Sequence, residues 1–265
     1  MQTFGPGSVQ WDLAGEYRNL LAAGSALILQ TMHPAVGAAV REHSDYKSDP
    51  WGRLNRTLTS VQKWVYADGP AEGARLRELH RPISGVDEQG RTYHALNGEA
   101  WAWVHLTLFE RFLAVQRIFG GPVDTARLYE EFMLLGDILQ VPEREVPADL
   151  EAFWVYFDHM IADRLEAHPT ALEVLAALKA TPAPAGLPRA LWRPLGMASG
   201  EFNQFVTVGT LPPAVRKKLG LSWSVRQERM LLALGRSVAA VTPRLPERLR
   251  YMPIAYRARR AAYRS

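Results

Sequence analysis

Residues 99–119 read EAWAWVHLTLFERFLAVQRIF, and this stretch indicates the fold class. Its apolar residues recur at spacings of three and four, which is the period of an α-helix packed against a core. Similar stretches follow at residues 125–139, 149–167, 170–179, 189–207 and 224–241. The pattern predicts an all-α protein, with one large multi-helix domain over residues 1–265.

Polar residues and prolines indicate where several helices begin. Pro50 suits the first turn of a helix, and Ser48 or Asp49 can cap it. Asp124 can cap the helix that runs to Leu139. Helix signals of this kind recur from one end of the chain to the other.

Two segments interrupt the helical period. Residues 86–95 contain a Gln-Gly turn flanked by short runs with β-forming residues, which predicts a small hairpin or loop between helices. Residues 181–188, TPAPAGLP, predict a proline-rich hinge inside the domain.

The composition excludes several classes of site. The chain has no cysteine, which excludes disulfides, thiolate nucleophiles, iron–sulfur clusters and Cys-ligated haem. The amino terminus lacks a cationic region followed by an apolar one, so we expect a cytoplasmic location. The strongest apolar run, residues 20–32, is short of the roughly 20 residues that cross a bilayer and predicts a buried core helix.

Positive charge gathers near the carboxyl end. A solvated cationic face on a terminal helix is the expected explanation, and weak peripheral contact with an anionic membrane is the alternative. Nucleic acid is not expected as a partner, because no recognisable nucleic-acid motif accompanies the charge. No obligate protein partner is inferred. The arginines concerned are Arg244, Arg248, Arg250, Arg257, Arg259, Arg260 and Arg264.

A dense polar cluster lies between residues 41 and 57. Arg53 and Thr57 are four residues apart, so on a helix beginning at Pro50 they share one side, with Arg56 on a neighbouring side. Two arginines and a hydroxyl there suit a carboxylate or phosphate group of a ligand. The alternative is that the arginines pair within the chain, with Glu42, Asp45 or Asp49.

His80 is the candidate metal ligand. It ends the predicted helix over residues 71–80, shortly before Pro82, where the helix dipole also favours a histidine that only caps the helix. The sequence has no Glu-x-x-His pair of a di-iron bundle, no His-Glu-x-x-His zinc motif, no phosphate loop and no dinucleotide fingerprint. Both roles for His80 stay open at this point.

The sequence resembles the oxygenase family of the bacterial latex-clearing rubber oxygenases and the fungal membrane-bound oxygenase of mycophenolic acid biosynthesis. The resemblance spans most of the chain, and the order and spacing of its motifs are more specific than any one of them. The motifs are LILQTMHP at residues 27–34, EHS at 42–44, DPWGRLNRT at 49–57, HRPISG at 80–85 and YHA at 93–95.

The resemblance implies a globin-like helical core that binds haem b, with His80 as the iron ligand. It implies that Arg53 and Thr57 bind or face the cofactor. It also implies that the carboxylate base of the family falls near position 42, which makes Glu42 the candidate base. The rubber oxygenases carry a lysine ligand where this chain has Arg56, and an arginine cannot easily bind iron because it stays protonated. Together with Arg56, which stays a candidate for a role other than binding iron, the candidate catalytic residues are Glu42, Arg53 and Thr57.

Two functions follow from these expectations. The first is a haem-dependent oxygenase acting on an apolar small molecule, such as oxidative cleavage of an isoprenoid-like double bond. The second is a haem-free helical binding protein for a lipid-like ligand whose acidic head group is held by the arginines.

Overall fold

Helices make up almost all of the regular structure. The computed structural model describes residues 4–46, 48–180 and 189–263, with only the backbone for residues 189–195. The all-α prediction is confirmed. The α-helices are α1 Val9–Leu13, α2 Ala23–Thr31, α3 Pro34–His43, α4 Pro50–Tyr66, α5 Gly69–His80, α6 Gly98–Phe119, α7 Thr125–Ile138, α8 Leu150–His159, α9 Pro169–Lys179, α10 Arg189–Thr210, α11 Pro213–Lys218, α12 Val225–Val241, α13 Glu247–Arg250 and α14 Pro253–Ala262.

The predicted hairpin is confirmed and begins two residues before the predicted segment. Strands β1 Ser84–Val86 and β2 Thr92–His94 pair antiparallel, with Gly85 opposite Tyr93. Gly90 turns the chain between them at a φ of +79°, a left-handed conformation that glycine adopts without strain.

Helix α6 is the centre of the core. Trp103, Leu106 and Phe109 on this helix are fully buried, and α6 packs against α2, α7 and α12. The indole Nε1 of Trp103 donates to the backbone oxygen of Leu29 at 3.0 Å, which ties α6 to α2. The stretch that indicated the fold class therefore forms the helix around which the others pack.

Of the two caps predicted for α4, Ser48 or Asp49, Asp49 is the one present, and the predicted cap at Asp124 is present as well. The Asp49 carboxylate accepts from the backbone nitrogen of Gly52 at 2.9 Å, and Asp124 accepts from that of Arg127 at 3.0 Å. These bonds satisfy amide groups that a helix start would otherwise leave without partners.

The apolar run at residues 20–32 is buried, as predicted, but it is not one helix. A 3-10 segment, Tyr17–Ala22, precedes α2, in which Ile28 and Leu29 are fully buried. Among the described residues, no single helix has the length and apolar composition to cross a membrane. Among the described residues, one pair of consecutive helical stretches has that length and composition when the two are taken together, Tyr17–Thr31 with Pro34–His43. The chain bends by 106° between them.

The helix predicted over residues 149–167 is shorter than expected. Helix α8 ends at His159 and a π-helical turn, Met160–Arg164, follows it. Lys218 stabilises this end, because its Nζ donates to three carbonyl oxygens at 2.6–2.9 Å. His168 precedes a proline, a position that disfavours helical backbone. The predicted hinge at residues 181–188 lies outside the described residues.

A buried carboxylate joins α4 to α5. Glu72 accepts from the Ser60 hydroxyl on α4 at 2.5 Å and from Arg75 Nε at 3.0 Å. Burial opposes ionisation of Glu72, but the hydrogen bonds from Arg75 and Ser60 outweigh it and lower its pKa. The contact fixes the two helices that carry Arg53 and His80.

The carboxyl-terminal arginines divide into two groups. Four of them are exposed, as a solvated face requires: Arg244, Arg248, Arg257 and Arg260. The other two, Arg250 and Arg259, are bound within the chain, and Arg264 lies outside the described residues. Arg250 Nε donates to the fully buried Glu16 at 2.5 Å. Arg259 bonds to the Trp11 carbonyl and to Asp12, both at 3.2 Å, and lies over the Tyr251 ring. These two arginines dock the end of the chain on its beginning instead of facing solvent.

Candidate functional site

His80 ends α5 with its imidazole held in one orientation. Its Nδ1 donates to the backbone oxygen of Leu76 at 2.8 Å, and its ring meets the Trp101 ring edge to face, with centroids 5.2 Å apart. The opposite nitrogen, Nε2, forms no hydrogen bond with a described residue. Burial lowers the pKa of His80, although the bond to Leu76 opposes this, so the imidazole is neutral near pH 7. A neutral imidazole oriented by a bond from its other nitrogen is the usual form of a metal-bound histidine.

Arg53 and Arg56 lie three residues apart on α4 but have different surroundings. Arg53 is partly buried, and its Nε donates to the Ser44 hydroxyl at 2.7 Å. It forms no ion pair with any described carboxylate. Burial lowers the pKa of Arg53, opposed by the charge of Asp45, yet a guanidinium remains a cation in proteins. Arg53 therefore offers a cation without a direct ion-pair partner among the described residues, at a partly buried site.

Arg56 has the partners that the sequence suggested for either arginine. It is exposed, pairs with Asp45, and donates to Asp49 Oδ2 at 3.1 Å. These hydrogen bonds, with Asp49 the larger contributor, raise the pKa of Arg56. Thr57 follows on the same helix and is also exposed.

Glu42 forms a polar cluster with the hairpin. Its Oε2 accepts from the Tyr93 hydroxyl at 2.5 Å, and His43 Nε2 lies 3.2 Å from the same hydroxyl. Gly85 leaves room for this contact, because a Cβ there would lie 2.6 Å from the Tyr93 oxygen and 3.0 Å from Glu42 Oε2. Burial and the hydrogen bond to Glu42 raise the pKa of Tyr93 to about 12, so the tyrosine stays protonated.

Hydrogen bonds connect the segments that carry these residues. Ser44 follows α3 and receives the Arg53 bond, two residues after Glu42. On the other side, Ile83 accepts from the backbone nitrogen of Ala95 and donates its own to the carbonyl of His80. The candidates on α3, α4 and α5 thus lie on linked segments, while no hydrogen bond joins His80 directly to Arg53 or Glu42.

A polar cleft of about 730 Å³ lies beside the hairpin. Tyr93 lines it, but Glu42, Arg53, Thr57 and His80 do not. Its three arginines are already paired, Arg164 with Glu99 at 2.6 Å, Arg91 with Glu166 at 2.8 Å and Arg144 with Glu145 at 3.2 Å. The cleft is therefore separate from the candidate site, although the two share Tyr93.

The sequence did not single out Tyr93, Ser44 and Trp101 as site residues. Tyr93 and Ser44 stand inside the motifs that carry the family resemblance, and Tyr93 is the buried member of β2. The alternation of Tyr93 with the polar Thr92 and His94 was the available signal in the sequence. That signal could not reveal the contact of Tyr93 with Glu42, which joins positions 51 residues apart. Trp101 gave no signal that separates it from other core aromatics.

Comparison with known proteins identifies the family. Two mycobacterial proteins, the uncharacterized protein Mb2261 of Mycobacterium bovis and the uncharacterized protein Rv2237 of Mycobacterium tuberculosis, are each 31% identical to this chain over 220 residues. Each alignment covers 79% of this chain and 83% of the relative. No solved structure matches significantly. The family model described as ER-bound oxygenase mpaB/B'/Rubber oxygenase, catalytic domain, matches residues 11–240. The chain therefore belongs to this family of oxygenases, which supports an oxygenase-type function.

Proposed function

We propose that the protein is a haem b-dependent oxygenase that acts on an apolar small molecule. In this proposal His80 Nε2 binds the iron, Arg53 and Thr57 contact the cofactor, and Glu42 is the catalytic base. The bound haem would supply the oxygen chemistry, and the protein would supply ligation and orientation. Oxidative cleavage of an isoprenoid-like double bond is the reaction class we favour.

The orientation of His80 is the observation that carries the proposal. Its Nδ1 is engaged by the Leu76 carbonyl, which leaves Nε2 as the nitrogen without a hydrogen-bond partner among the described residues. Among the described residues, no group of three or more His, Asp or Glu side chains could hold a metal ion. A haem iron needs only one or two axial side chains, so a solitary histidine of this kind fits haem.

The surroundings of Arg53 favour the binding of a negatively charged ligand group beside α4. A partly buried guanidinium without a carboxylate partner gains most from an anion that it can bind through two nitrogens. The propionates of haem are such anions. Ser44 holds Arg53 by its Nε, which leaves the terminal nitrogens for a ligand.

Glu42 and Tyr93 support a proton-handling role. The carboxylate accepts a hydrogen bond from a tyrosine whose pKa of about 12 keeps the proton on oxygen. Glu42 is also exposed, so a bound substrate can reach its second oxygen. In this role Glu42 is a general base that accepts a proton from the substrate, and Tyr93 positions the Glu42 carboxylate.

Arg56 was predicted from the sequence as a catalytic residue, and in this proposal it has a positioning role instead. Its guanidinium is engaged by Asp45 and Asp49, so we propose that it acts by holding the segment before α4 and not by touching the cofactor.

The first test is the absorption spectrum of the full chain produced with ample iron and haem precursor, before and after dithionite. We expect a Soret band that shifts on reduction, and we expect the pyridine haemochrome spectrum to identify haem b. Protein that is folded by circular dichroism, exposed to excess haem and still without a Soret band would contradict the proposal.

The second candidate is a haem-free binding protein for a lipid-like ligand with an acidic head. The unpaired Arg53 favours it as well, because a carboxylate or phosphate head group would satisfy the same cation. Solvent extraction of haem-free protein followed by mass spectrometry tests it. One acidic lipid per chain in the wild type, and none in Arg53→Gln, would support this candidate. The absence of lipid from the wild type would contradict it.

A further inference from the structure

The polar cleft beside the hairpin has the size of a ligand site. Its volume of about 730 Å³ lies within the range of roughly 300–1,000 Å³ that small-molecule sites occupy. One wall includes Asp163 and Arg164 from the π-helical turn, and such turns occur frequently at functional sites. Of the residues proposed to act with haem, only Tyr93 lines this cleft. A ligand bound here would therefore be a second one, separate from the haem.

Negative charge exceeds positive charge along the cleft. Five carboxylates and three arginines line it. Two of the carboxylates share one arginine, because Arg91 donates to Asp87 at 2.6 Å and to Glu166 at 2.8 Å. Asp163 pairs, within the described chain, with His159 at 2.9 Å. Counting histidine as neutral, the lining has two carboxylates in excess, in a chain whose formal net charge is +4.

His33 leaves a hydrogen-bond acceptor without a partner at the wall of the cleft. Its side chain is only 6% exposed, and its Nε2 lies 3.0 Å from Glu99 Oε1. Burial opposes ionisation of Glu99, but the hydrogen bonds from Arg164 and His33 outweigh it and lower its pKa. Burial also lowers the pKa of His33, so the neutral imidazole donates from Nε2. Its Nδ1 is then an acceptor, and this buried atom has no hydrogen-bond partner among the described residues.

The unpaired nitrogen and the excess of carboxylates favour the same kind of ligand. Buried polar atoms without partners are rare in folded proteins, and a bound water or ligand often supplies the missing bond. Here the missing partner of His33 is a hydrogen-bond donor. The excess carboxylates favour a positive charge, so both features are satisfied by a cation that carries N–H groups.

We propose that the cleft binds an organic amine. Its ammonium groups would donate to Glu99, Asp163 and Glu166, and hydrogen bonds between charged groups are stronger than those between neutral ones. An N–H group would also supply the donor that His33 lacks. The proposal does not depend on haem.

Two other classes of ligand fit the cleft less well. A metal ion is disfavoured, because no group of three or more His, Asp or Glu side chains in the described part of the chain could hold one. An anion would meet the excess carboxylates, since each of the three arginines is already paired. An amine is therefore the class that the lining favours.

Isothermal titration calorimetry of the full chain tests the charge of the ligand. The probes are 1,4-diaminobutane and succinate, which have the same length and opposite charge. We expect one diamine to bind per chain, more weakly as sodium chloride is added, because salt screens the attraction. We expect no binding of succinate. Binding of succinate as tight as that of the diamine, or no binding of the diamine, would overturn the proposal.

A pair of aspartate variants tests the position of the site. Asp163→Asn removes a carboxylate that lines the cleft, and we expect the affinity for the diamine to fall about two- to fivefold, since exposed ion pairs contribute modestly. Asp158→Asn changes an exposed aspartate of α8 that does not line the cleft and should leave the affinity unchanged. Equal changes in the two variants would contradict binding in the cleft.

Blocking the cleft gives a second measurement of position. The chain has no cysteine, so Thr92→Cys places a unique thiol on an exposed residue of the lining. A bulky maleimide label there should abolish binding of the diamine. The same label on Ser237→Cys, at an exposed position of α12, should leave binding intact, with folding of both checked by circular dichroism. Full binding by the labelled Thr92→Cys protein would overturn the proposal.

Discussion

Replacing Arg53 with glutamine removes a partly buried cation that forms no ion pair with a carboxylate in the described part of the chain. The haem-free protein loses the hydrogen bond to Ser44 but is relieved of a partly desolvated charge. These effects oppose each other, so we expect its free energy of unfolding to change by less than about 1 kcal/mol. Haem affinity should fall, because a hydrogen bond to a charged group contributes about 1.5–3 kcal/mol, roughly a tenfold to hundredfold change.

Arg56→Gln is the matched control, three residues away on the same helix. Arg56 is 57% exposed and pairs with surface aspartates, so its loss should change haem affinity by less than about threefold, given the small net contribution of exposed ion pairs. Titration of each haem-free variant with haem, followed at the Soret band, measures both effects. Equal affinity losses in the two variants, or an unchanged affinity in Arg53→Gln, would refute the reasoning.

Two further predictions concern stability. Burial lowers the pKa of the fully buried His105 to about 4; its neutral form therefore contributes stability above pH 6.5 that is lost as the pH falls towards 4, about 3 kcal/mol. Urea unfolding at neutral pH and near pH 4 should show this extra loss in the wild type relative to His105→Leu, and equal losses would contradict it. Gly85→Ala should destabilise the protein by about 1–3 kcal/mol, because the new methyl group would meet the Tyr93 hydroxyl. Gly121→Ala, with no atom within 4 Å of the new Cβ, is its control, and equal changes in thermal unfolding would count against the packing argument.

Local patterns in the sequence predicted much of the fold. The period of residues 99–119 gave α6 to within one residue at its start, and the caps at Asp49 and Asp124 were read correctly. These features depend on neighbours within one or two helical turns. The predicted end of α8 was wrong, because a π-helical turn follows His159 and its carbonyls bind Lys218, more than 50 residues away.

The candidate site was predictable only in part. Sequence spacing placed Arg53 and Arg56 on α4, but it could not tell that Asp45 and Asp49 would take Arg56 and leave Arg53 without a carboxylate. The contact of Glu42 with Tyr93 depends on how α3 packs against the hairpin. Tertiary packing decides such pairings, and no period in the sequence encodes it.

The most direct test of the central claim is the His80→Gly variant, with and without imidazole. His80→Gly should bind haem weakly and lack the Soret position of the wild type. Added imidazole should restore that position by occupying the space of the lost side chain. His159→Gly, at an exposed histidine of α8, should leave the spectrum unchanged. An unaltered Soret band in folded His80→Gly, before imidazole is added, would contradict the assignment of His80 as the iron ligand.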